Sequence, residues 1–261
     1  MTDQAIRYEV SDHVATITID RPEKRNAMSF AVLGEFHAAI ARAADDEAAR
    51  AVIITGAGGA FCAGTDLSNL ADTPPDERSG RGADSAPGVP WAMVECPKPV
   101  IGAIDGPAVG MGAEFATQCD VRVASTTARI AWNFVRRGLV PDLGAGTFLL
   151  PRIIGHTEAL RLLYSGEFID AQRALELGFV SAVVAPEDLL ATARAEAERF
   201  LAGSPFALAR TKRLLYDAMS GDVAAHRKRT AVALGECFRS DDHREGVASF
   251  LERREPSFTG R

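Results

Sequence analysis

The stretch that most constrains the fold runs from residue 98 to residue 120, KPVIGAIDGPAVGMGAEFATQCD. Its residues 99–104 form a short, nearly continuous apolar run, which is typical of a strand buried on both faces. Gly110 and Gly112 then flank Met111, and a helix that begins there has first N–H groups without an internal partner. Such a terminus either receives an anion or a developing negative charge, or is simply a tight crossover between strand and helix.

A second glycine-rich turn precedes this stretch. Residues 51–55 form a buried strand by the same criterion, and residues 56–67, GAGGAFCAGTDL, follow it and are expected to open a second helix. This turn has neither the GxxxxGK nor the GxGxxG spacing of nucleotide-binding folds, which disfavours a dinucleotide-dependent reductase. Two strands thus end in turns with backbone donors near Thr65 and Met111, and an oxyanion hole needs two such donors.

Periodicity predicts the remaining elements. Alternating apolar residues indicate a β-hairpin at 6–10 and 13–20, and Ser29 is expected to cap an amphipathic helix over 30–46. Further strands are expected at 121–124, 129–132 and 179–185. Further helices are expected at 145–154, 157–165, 170–177, 187–202, 205–219, 222–239 and 241–252. The chain is therefore predicted to be an α/β protein with a helical C-terminal region.

Composition and charge exclude several classes of protein. The chain has 261 residues with 29 Lys+Arg against 35 Asp+Glu, and a net charge of −6 argues against a nucleic-acid partner. No apolar run reaches bilayer length and the start lacks a signal pattern, so a cytoplasmic protein without a membrane partner is expected. The cysteines and histidines are scattered, so no metal site is expected. A composition shift predicts two parts, residues 1–200 and residues 201–261.

Five runs of the sequence, in this order and spacing, resemble the enoyl-CoA hydratase/isomerase (crotonase) superfamily. They are RPEKRNAM at 21–28, FCAGTDL at 61–67, KPVIGAIDGPAVGMGAE at 98–114, CDVRVAS at 119–125 and GLVPDLGAG at 138–146. The resemblance implies a crotonase-like spiral of ββα units, with the acyl-CoA site in the core and an oligomerisation region in the C-terminal helices. It also implies an acyl-CoA thioester substrate, no cofactor beyond the substrate's own CoA, and a homotrimer or a dimer of trimers.

The resemblance also implies roles for individual residues. Matched position by position, the oxyanion-hole donors are the backbone N–H groups of Thr65 and Met111. Glu114 matches the first catalytic glutamate of typical hydratases, although an acid in a first helical turn is also favoured by the helix dipole alone. Phe134 stands where those hydratases have their second glutamate. The CoA-binding positions are Lys24, Arg25, Ala27, Ala63, Asp66 and Leu67, and the acyl-pocket positions are Phe134 and Trp132.

Asp142 partly replaces the missing glutamate. It is similar to the aspartate with which dienoyl-CoA isomerases, and the enoyl-CoA isomerases of phenylacetate breakdown, shuttle a proton. It is equally suited to cap a helix over residues 143–149. The loss of the second glutamate favours double-bond isomerisation by Glu114 and Asp142 over hydration, which needs an ordered water as well. An enoyl-CoA hydratase and a non-catalytic CoA-binding protein remain the alternatives.

Three polar segments have both an ordinary and a functional interpretation. Residues 21–26 carry three positive charges and form either a solvated loop or a phosphate contact. Residues 73–90, rich in proline, glycine and charge, form either a disordered loop or a lid over the acyl group. The C-terminal helices carry a basic group that we interpret as a solvated face in preference to a contact with CoA phosphates: Lys212, Arg213, Arg227, Lys228 and Arg229.

Overall fold

The computed structural model describes residues 5–66 and 91–261. Within them, strands β1 to β9 are Ile6–Ser11, Val14–Ile19, Ala51–Gly56, Val100–Ile104, Pro107–Val109, Val121–Ser125, Arg129–Ala131, Ile169–Asp170 and Ala182–Val184. Helices α1 to α11 are Phe30–Asp45, Ala92–Glu95, Met111–Gln118, Ala145–Phe148, Leu150–Ile154, His156–Ser165, Ala171–Glu176, Leu189–Leu201, Pro205–Ala218, Val223–Arg239 and Asp241–Glu252. Short 3-10 helices are Pro22–Lys24, Asn133–Arg137 and Pro186–Asp188. Leu67 and the predicted loop at 73–90 lie outside the described residues.

The main sheet has the strand order β1-β2-β3-β4-β6-β9. β1 and β2 form the predicted antiparallel hairpin, in which Ile6 pairs with Ile19, and all other neighbours in this sheet are parallel. A small second sheet has the order β5-β7-β8. Because β3 and β4 are parallel neighbours, their carboxyl ends meet at one edge of the sheet. The glycine-rich turns that follow the two strands are therefore brought side by side.

Helices cover both faces of the main sheet. Side chains alternate along each strand, so Val52 and Ile54 pack with Phe36 of α1, whereas Ile53 belongs to a second cluster that includes Leu189 of α8. All five of these side chains are buried, and each contributes about 1.5–3 kcal/mol of hydrophobic stabilisation. This packing fixes the strands whose ends carry the candidate site.

The predicted helix boundaries hold in most places, and Ser29 caps α1 by accepting the Val32 N–H over 3.3 Å. The predicted helix over 145–154 is instead broken at Leu149 into α4 and α5, and Pro151 occupies the first turn of α5, where its missing N–H costs nothing. The predicted strand over 179–185 is only β9, because Phe179 N–H bonds back to Ala174 and closes the end of α7.

Helix α9 is fastened to the core through Asp120, which follows α3. Its carboxylate accepts from Lys212 Nζ over 2.7 Å, from Tyr216 OH over 2.9 Å and from the Val100 N–H over 2.8 Å. The Lys212 side chain is only 9% exposed. Both sequence-based interpretations of Lys212, as a solvated cation and as a phosphate contact, are therefore wrong, because its ammonium group is paired with Asp120 inside the protein. The division at residue 200 stays a prediction.

Candidate active site

The first candidate donor lies in the loop after β3. A parallel β-bridge joins Met28 and Thr65 there, with Met28 N–H donating to Gly64 O and Asp66 N–H donating to Met28 O, each over 2.8 Å. A parallel bridge of this kind uses the groups on either side of Thr65, so the N–H of Thr65 itself points away from Met28. Within residues 5–66 and 91–261, no backbone acceptor pairs with that N–H.

The second candidate donor opens α3. Gly110 turns the chain with a φ of 55°, and its N–H donates to Ala131 O over 2.8 Å. Glu114 N–H then donates to Gly110 O over 3.0 Å and closes the first helical turn. The N–H of Met111, at the first helical position, has no partner inside the helix and carries part of the positive end of the helix dipole.

The two donor segments are held together by a tight backbone seam. Cys62 and Ala108 form a parallel bridge, and Val109 N–H donates to Cys62 O over 2.9 Å. A Cβ on Gly112 would lie 2.1 Å from Cys62 O, and a Cβ on Gly64 would lie 2.7 Å from Val109 O. Neither position tolerates a side chain without a backbone shift. The separation of the two N–H groups is therefore set by backbone packing.

Both donors open into one small cavity. Its lining brings together five of the predicted site residues, namely Ala63, Thr65, Met111, Phe134 and Asp142, whereas Glu114 is not part of the described lining. Two backbone N–H groups beside a cavity of this kind can hold a carbonyl oxygen and stabilise the negative charge that develops on it.

Glu114 is fully buried on the first turn of α3. Its Oε1 accepts the Gly146 N–H over 2.7 Å, and its buried Oε2 has no hydrogen-bond partner in the part of the chain that the structure describes. Burial, together with the negative charge of Asp142, raises the pKa of Glu114 to about 8, although the N–H groups of Gly146 and Ala145 act in the opposite direction. The carboxyl group is therefore mostly protonated at neutral pH, which suits a residue that moves a proton.

Asp142 is exposed and lines the cavity. Its interpretation as a helix N-cap is wrong, because α4 begins at Ala145, its N-cap is Gly144 with a φ of 76°, and no side chain caps it by a hydrogen bond from its own segment. The Glu114 carboxylate from α3 instead accepts at this helix N-terminus. The sequence run GLVPDLGAG contained Gly146 but gave no sign that its N–H binds Glu114.

The two predicted acyl-pocket residues lie in different places. Phe134 lines the cavity and its ring atoms come within 3.8 Å of the position that a Cβ on Gly110 would take. Trp132 is buried and does not contribute to the described lining of the cavity. Its Nε1 donates to Thr117 Oγ1 over 3.1 Å, and its ring packs edge-on against Phe179. Trp132 therefore packs against Thr117 of α3 and against Phe179 instead of forming part of the described cavity lining.

The predicted CoA-binding residues lie on two adjoining segments. Lys24 and Arg25 are exposed at the end of a 3-10 helix, where Arg25 has a φ of 49°. Ala63 N–H donates to Arg25 O over 3.0 Å, so this basic turn lies directly beside the first donor loop. Two exposed cations next to the first candidate donor are thus available to an anionic part of a ligand.

Asn26 and Arg21, which the sequence did not single out as anchors, fasten this basic turn. Asn26 is fully buried, its Nδ2 donates to Ala60 O over 2.6 Å, and its Oδ1 accepts the Arg21 N–H over 2.8 Å. The Arg21 guanidinium donates to Ala27 O over 2.6 Å and lies 3.5 Å from the Asp66 carboxylate. Arg21, Ala27 and Asp66 therefore hold the shape of the turn.

Two of the buried cysteines, Cys62 and Cys119, are poor candidates for a nucleophile. Burial raises the pKa of Cys62 and that of Cys119 to about 12, so both thiols are neutral.

In the part of the chain that the structure describes, no group of three or more His, Cys, Asp or Glu side chains is placed to hold a metal ion. In that same part, no helix combines the length and the apolar character that a membrane span needs.

Comparisons with known proteins identify the family of this chain. A family model described as enoyl-CoA hydratase/isomerase matches residues 9–261. The chain is 38% identical to a probable enoyl-CoA hydratase of Rhodobacter capsulatus over 100% of both chains. It is 34% identical to the 1,2-epoxyphenylacetyl-CoA isomerase of Escherichia coli over 98% of both chains. An enoyl-CoA hydratase crystal structure from Bacillus anthracis superposes with a TM-score of 0.91 at 32% identity, covering 99% of this chain and 100% of that one. The chain therefore belongs to the enoyl-CoA hydratase/isomerase family, and it is an enzyme of the crotonase superfamily.

Proposed function

We propose that this enzyme moves a carbon–carbon double bond along the acyl chain of an enoyl-CoA thioester. The observation that carries the proposal is the electrostatic interaction of a buried carboxyl, Glu114, with the exposed Asp142, which lines the cavity together with Phe134. By the family resemblance, Phe134 stands where typical hydratases have their second glutamate. A phenylalanine ring cannot hold a water molecule for addition to a double bond, whereas proton transfer needs only the two carboxyl groups.

The thioester oxygen would lie between the N–H groups of Thr65 and Met111. When a proton leaves the carbon chain, negative charge moves onto this oxygen, and each donor lowers the barrier by about 3 kcal/mol in comparable oxyanion holes. Stabilisation of this kind is larger for the dienolate than for the neutral thioester, so it accelerates the reaction and does not merely tighten binding.

The two carboxyl groups divide the proton transfer between them. Asp142 takes a proton from one end of the three-carbon unit C2–C4, the double bond moves as the dienolate forms, and protonated Glu114 gives a proton to the other end. A pKa of about 8 keeps Glu114 protonated at neutral pH for this step. Each turnover leaves Asp142 protonated and Glu114 ionised, so the exposed Asp142 then releases its proton to water and Glu114 takes one up from water before the next turnover.

Hydration of a 2-enoyl-CoA is the second candidate. The relative from Rhodobacter capsulatus and the similar structure from Bacillus anthracis are both named enoyl-CoA hydratase, whereas the Escherichia coli relative is named an isomerase. In a hydratase of this composition, Glu114 and Asp142 would have to position the water without a second glutamate.

A panel of 2-enoyl-, 3-enoyl- and dienoyl-CoA thioesters in deuterated water separates the two candidates by mass spectrometry. Isomerisation keeps the mass of the thioester apart from exchange of hydrogen for deuterium, whereas hydration adds the mass of one water. Conversion of 2-enoyl-CoA to a hydroxyacyl product, without double-bond migration, would replace the proposed isomerisation by hydration. Turnover of none of these thioesters would contradict both.

We also propose that the enzyme binds the CoA phosphates through Lys24 and Arg25 and assembles as a homotrimer or a dimer of trimers in the cytoplasm. Helices α10 and α11 carry large apolar side chains that are between 48% and 82% exposed: Val232, Phe238, Val247, Phe250 and Leu251. Exposed apolar surface on this scale supports a subunit interface. Light scattering coupled to gel filtration should give the mass of three or six chains, and a monomer would contradict the assembly.

A further inference from the structure

Helix α3 ends in a buried glutamine, Gln118, which is 0% exposed. Among residues 5–66 and 91–261, neither its Oε1 nor its Nε2 has a hydrogen-bond partner. The neighbouring Thr117 is different, because its Oγ1 donates to Ala113 O over 2.7 Å and accepts from Trp132 Nε1. The helix therefore satisfies one polar side chain in this turn and leaves the next one unsatisfied.

An unpartnered amide in this position is costly. Each buried polar group without a hydrogen bond destabilises a protein by about 1–3 kcal/mol, and a methionine of the same length would avoid that cost. The glutamine is thus expected to gain a partner in some state of the protein that matters for its action.

A complementary polar group is found one helical turn away in the sequence of α3. Residues four apart share a helix face, and long helical side chains lean toward the N-terminus, so the Gln118 amide leans toward Glu114. Glu114 Oε2 is the other polar atom on this face that is buried without a hydrogen bond. An amide N–H and a carboxylate oxygen are complementary, since one donates and the other accepts.

Several other groups face this helix: in addition to burial, the negative charge of Asp142 raises the pKa of Glu114, and the N–H groups of Gly146, Ala145 and Leu143 lower it. Arg122 of β6 is buried, and its guanidinium donates to the carbonyls of Phe179, Ala116 and Cys119. The Cys119 thiol is neutral, and Asp142 is exposed at the cavity. None of Arg122, Cys119 and Asp142 supplies the donor that the Glu114 Oε2 lacks.

We propose that Gln118 is a positioning residue for Glu114, donating its amide N–H to Oε2 either directly, after a change of rotamer, or through one internal water. Gly146 and Gln118 would then hold the two oxygens of the carboxyl group from opposite sides, and the amide would stabilise the charge that Glu114 acquires when it gives up its proton. The inference rests on the proposed function only in that Glu114 moves a proton during turnover.

The first test reads the Glu114 carboxyl without any substrate. Glutamate labelled with carbon-13 at the carboxyl gives an NMR titration in which the Glu114 signal is assigned by its loss in Glu114→Gln. In Gln118→Met the titration midpoint of Glu114 should rise by about one pH unit, because a donor to the charged form has been removed. An unchanged midpoint would overturn the proposal.

The second test is a double-mutant cycle on the rate. Gln118→Met should lower kcat by about tenfold with little change in KM, and the same substitution in a Glu114→Gln background should have no further effect. Equal losses in both backgrounds would assign Gln118 a role independent of Glu114 and reject the inference. Melting temperatures check that each variant is folded, and Gln118→Leu serves if the methionine variant is not.

The two readouts separate this inference from the proposed reaction. If the enzyme turns out not to isomerise enoyl-CoA, the NMR titration still reports whether Gln118 acts on Glu114. If isomerisation is confirmed and the midpoint does not move, only the role of Gln118 fails.

Discussion

The backbone N–H of Gly146 donates to Glu114 Oε1 over 2.7 Å, so the N-terminus of one helix holds a carboxyl group that another helix supplies. This contact occupies one of the two carboxyl oxygens of Glu114. It also makes Gly146 a position at which a methyl group can be placed directly against the catalytic candidate.

Gly146→Ala should therefore impair activity without unfolding the protein. The added Cβ would lie 2.5 Å from Glu114 Oε1 and 3.0 Å from Trp132 Cδ1, so the carboxyl group has to shift. Misplacement of a catalytic group on this scale costs about tenfold or more in kcat. Gly34→Ala in α1, where a Cβ meets nothing within 4 Å, is the matched control and should keep full activity. Equal activity of the two variants would contradict the role of the Gly146–Glu114 contact.

Glu114→Gln should change how stability depends on pH. The folded-state pKa of Glu114 is raised to about 8 from an ordinary value of 4.5, so the folded protein holds this proton more tightly than the unfolded chain. The contribution of Glu114 to stability is present below about pH 4.5 and is lost as the pH rises to about 8. As the pH rises across this range, the parent should thus lose a few kcal/mol of unfolding free energy, measured in urea, that the Glu114→Gln variant does not lose. The exposed Glu35→Gln in α1 should follow the parent, and a constant difference for Glu114→Gln would remove the argument.

The hole should depend on backbone and not on side chains. Thr65→Ala keeps the N–H and should retain most activity, whereas Gly112→Ala brings a methyl group to 2.1 Å from Cys62 O and should abolish it. Gly64→Val adds a side chain where the φ is 96° and should be similarly inactive. Steady-state rates, with circular dichroism to check folding, measure the difference. A Thr65→Ala enzyme as inactive as Gly112→Ala would require a side-chain role instead.

Asp142→Asn should lower kcat by about a hundredfold or more if Asp142 carries a proton. The melting temperature, measured beside the rate, checks that the variant is folded. Combining it with Glu114→Gln should cost little more than the worse single substitution, since the two groups serve one transfer. A folded and fully active Asp142→Asn enzyme is the outcome that the two-carboxylate mechanism does not survive.

Basic residues at two places should respond differently to substitution. Lys24→Ala with Arg25→Ala should weaken CoA binding and flatten its dependence on salt, because these exposed cations face solvent beside the proposed oxyanion hole.

Lys212→Met should instead lower stability by on the order of 3 kcal/mol, since it leaves the Asp120 carboxylate without its cation. Isothermal titration with CoA and thermal unfolding measure the two effects. Salt-independent CoA binding in the parent enzyme would contradict the first part.

Apolar runs and glycine positions are local signals, so they predicted most of the strands and the two glycine-rich turns, while the family resemblance implied the crotonase-like fold. It also singled out Glu114 and Asp142, but it did not reveal that the Glu114 carboxyl accepts from Gly146, 32 residues away. The same limit explains Lys212. Its sequence context indicated a surface cation, whereas the folded chain pairs it with Asp120, 92 residues away. Contacts between distant segments leave no periodic pattern in the chain, so these were the features that only the folded structure could provide.

The seam between Cys62 and Gly112 also bears on how such an enzyme acquires a new substrate. The positions of the two N–H groups are set by main-chain contacts, so exchanging the Thr65 or Met111 side chain need not move them. Phe134 lines the cavity but supplies neither N–H group. In the proposed mechanism, selectivity for the acyl group and the power to stabilise an enolate would therefore be encoded in separate atoms, and substitutions that reshape the first could leave the second intact.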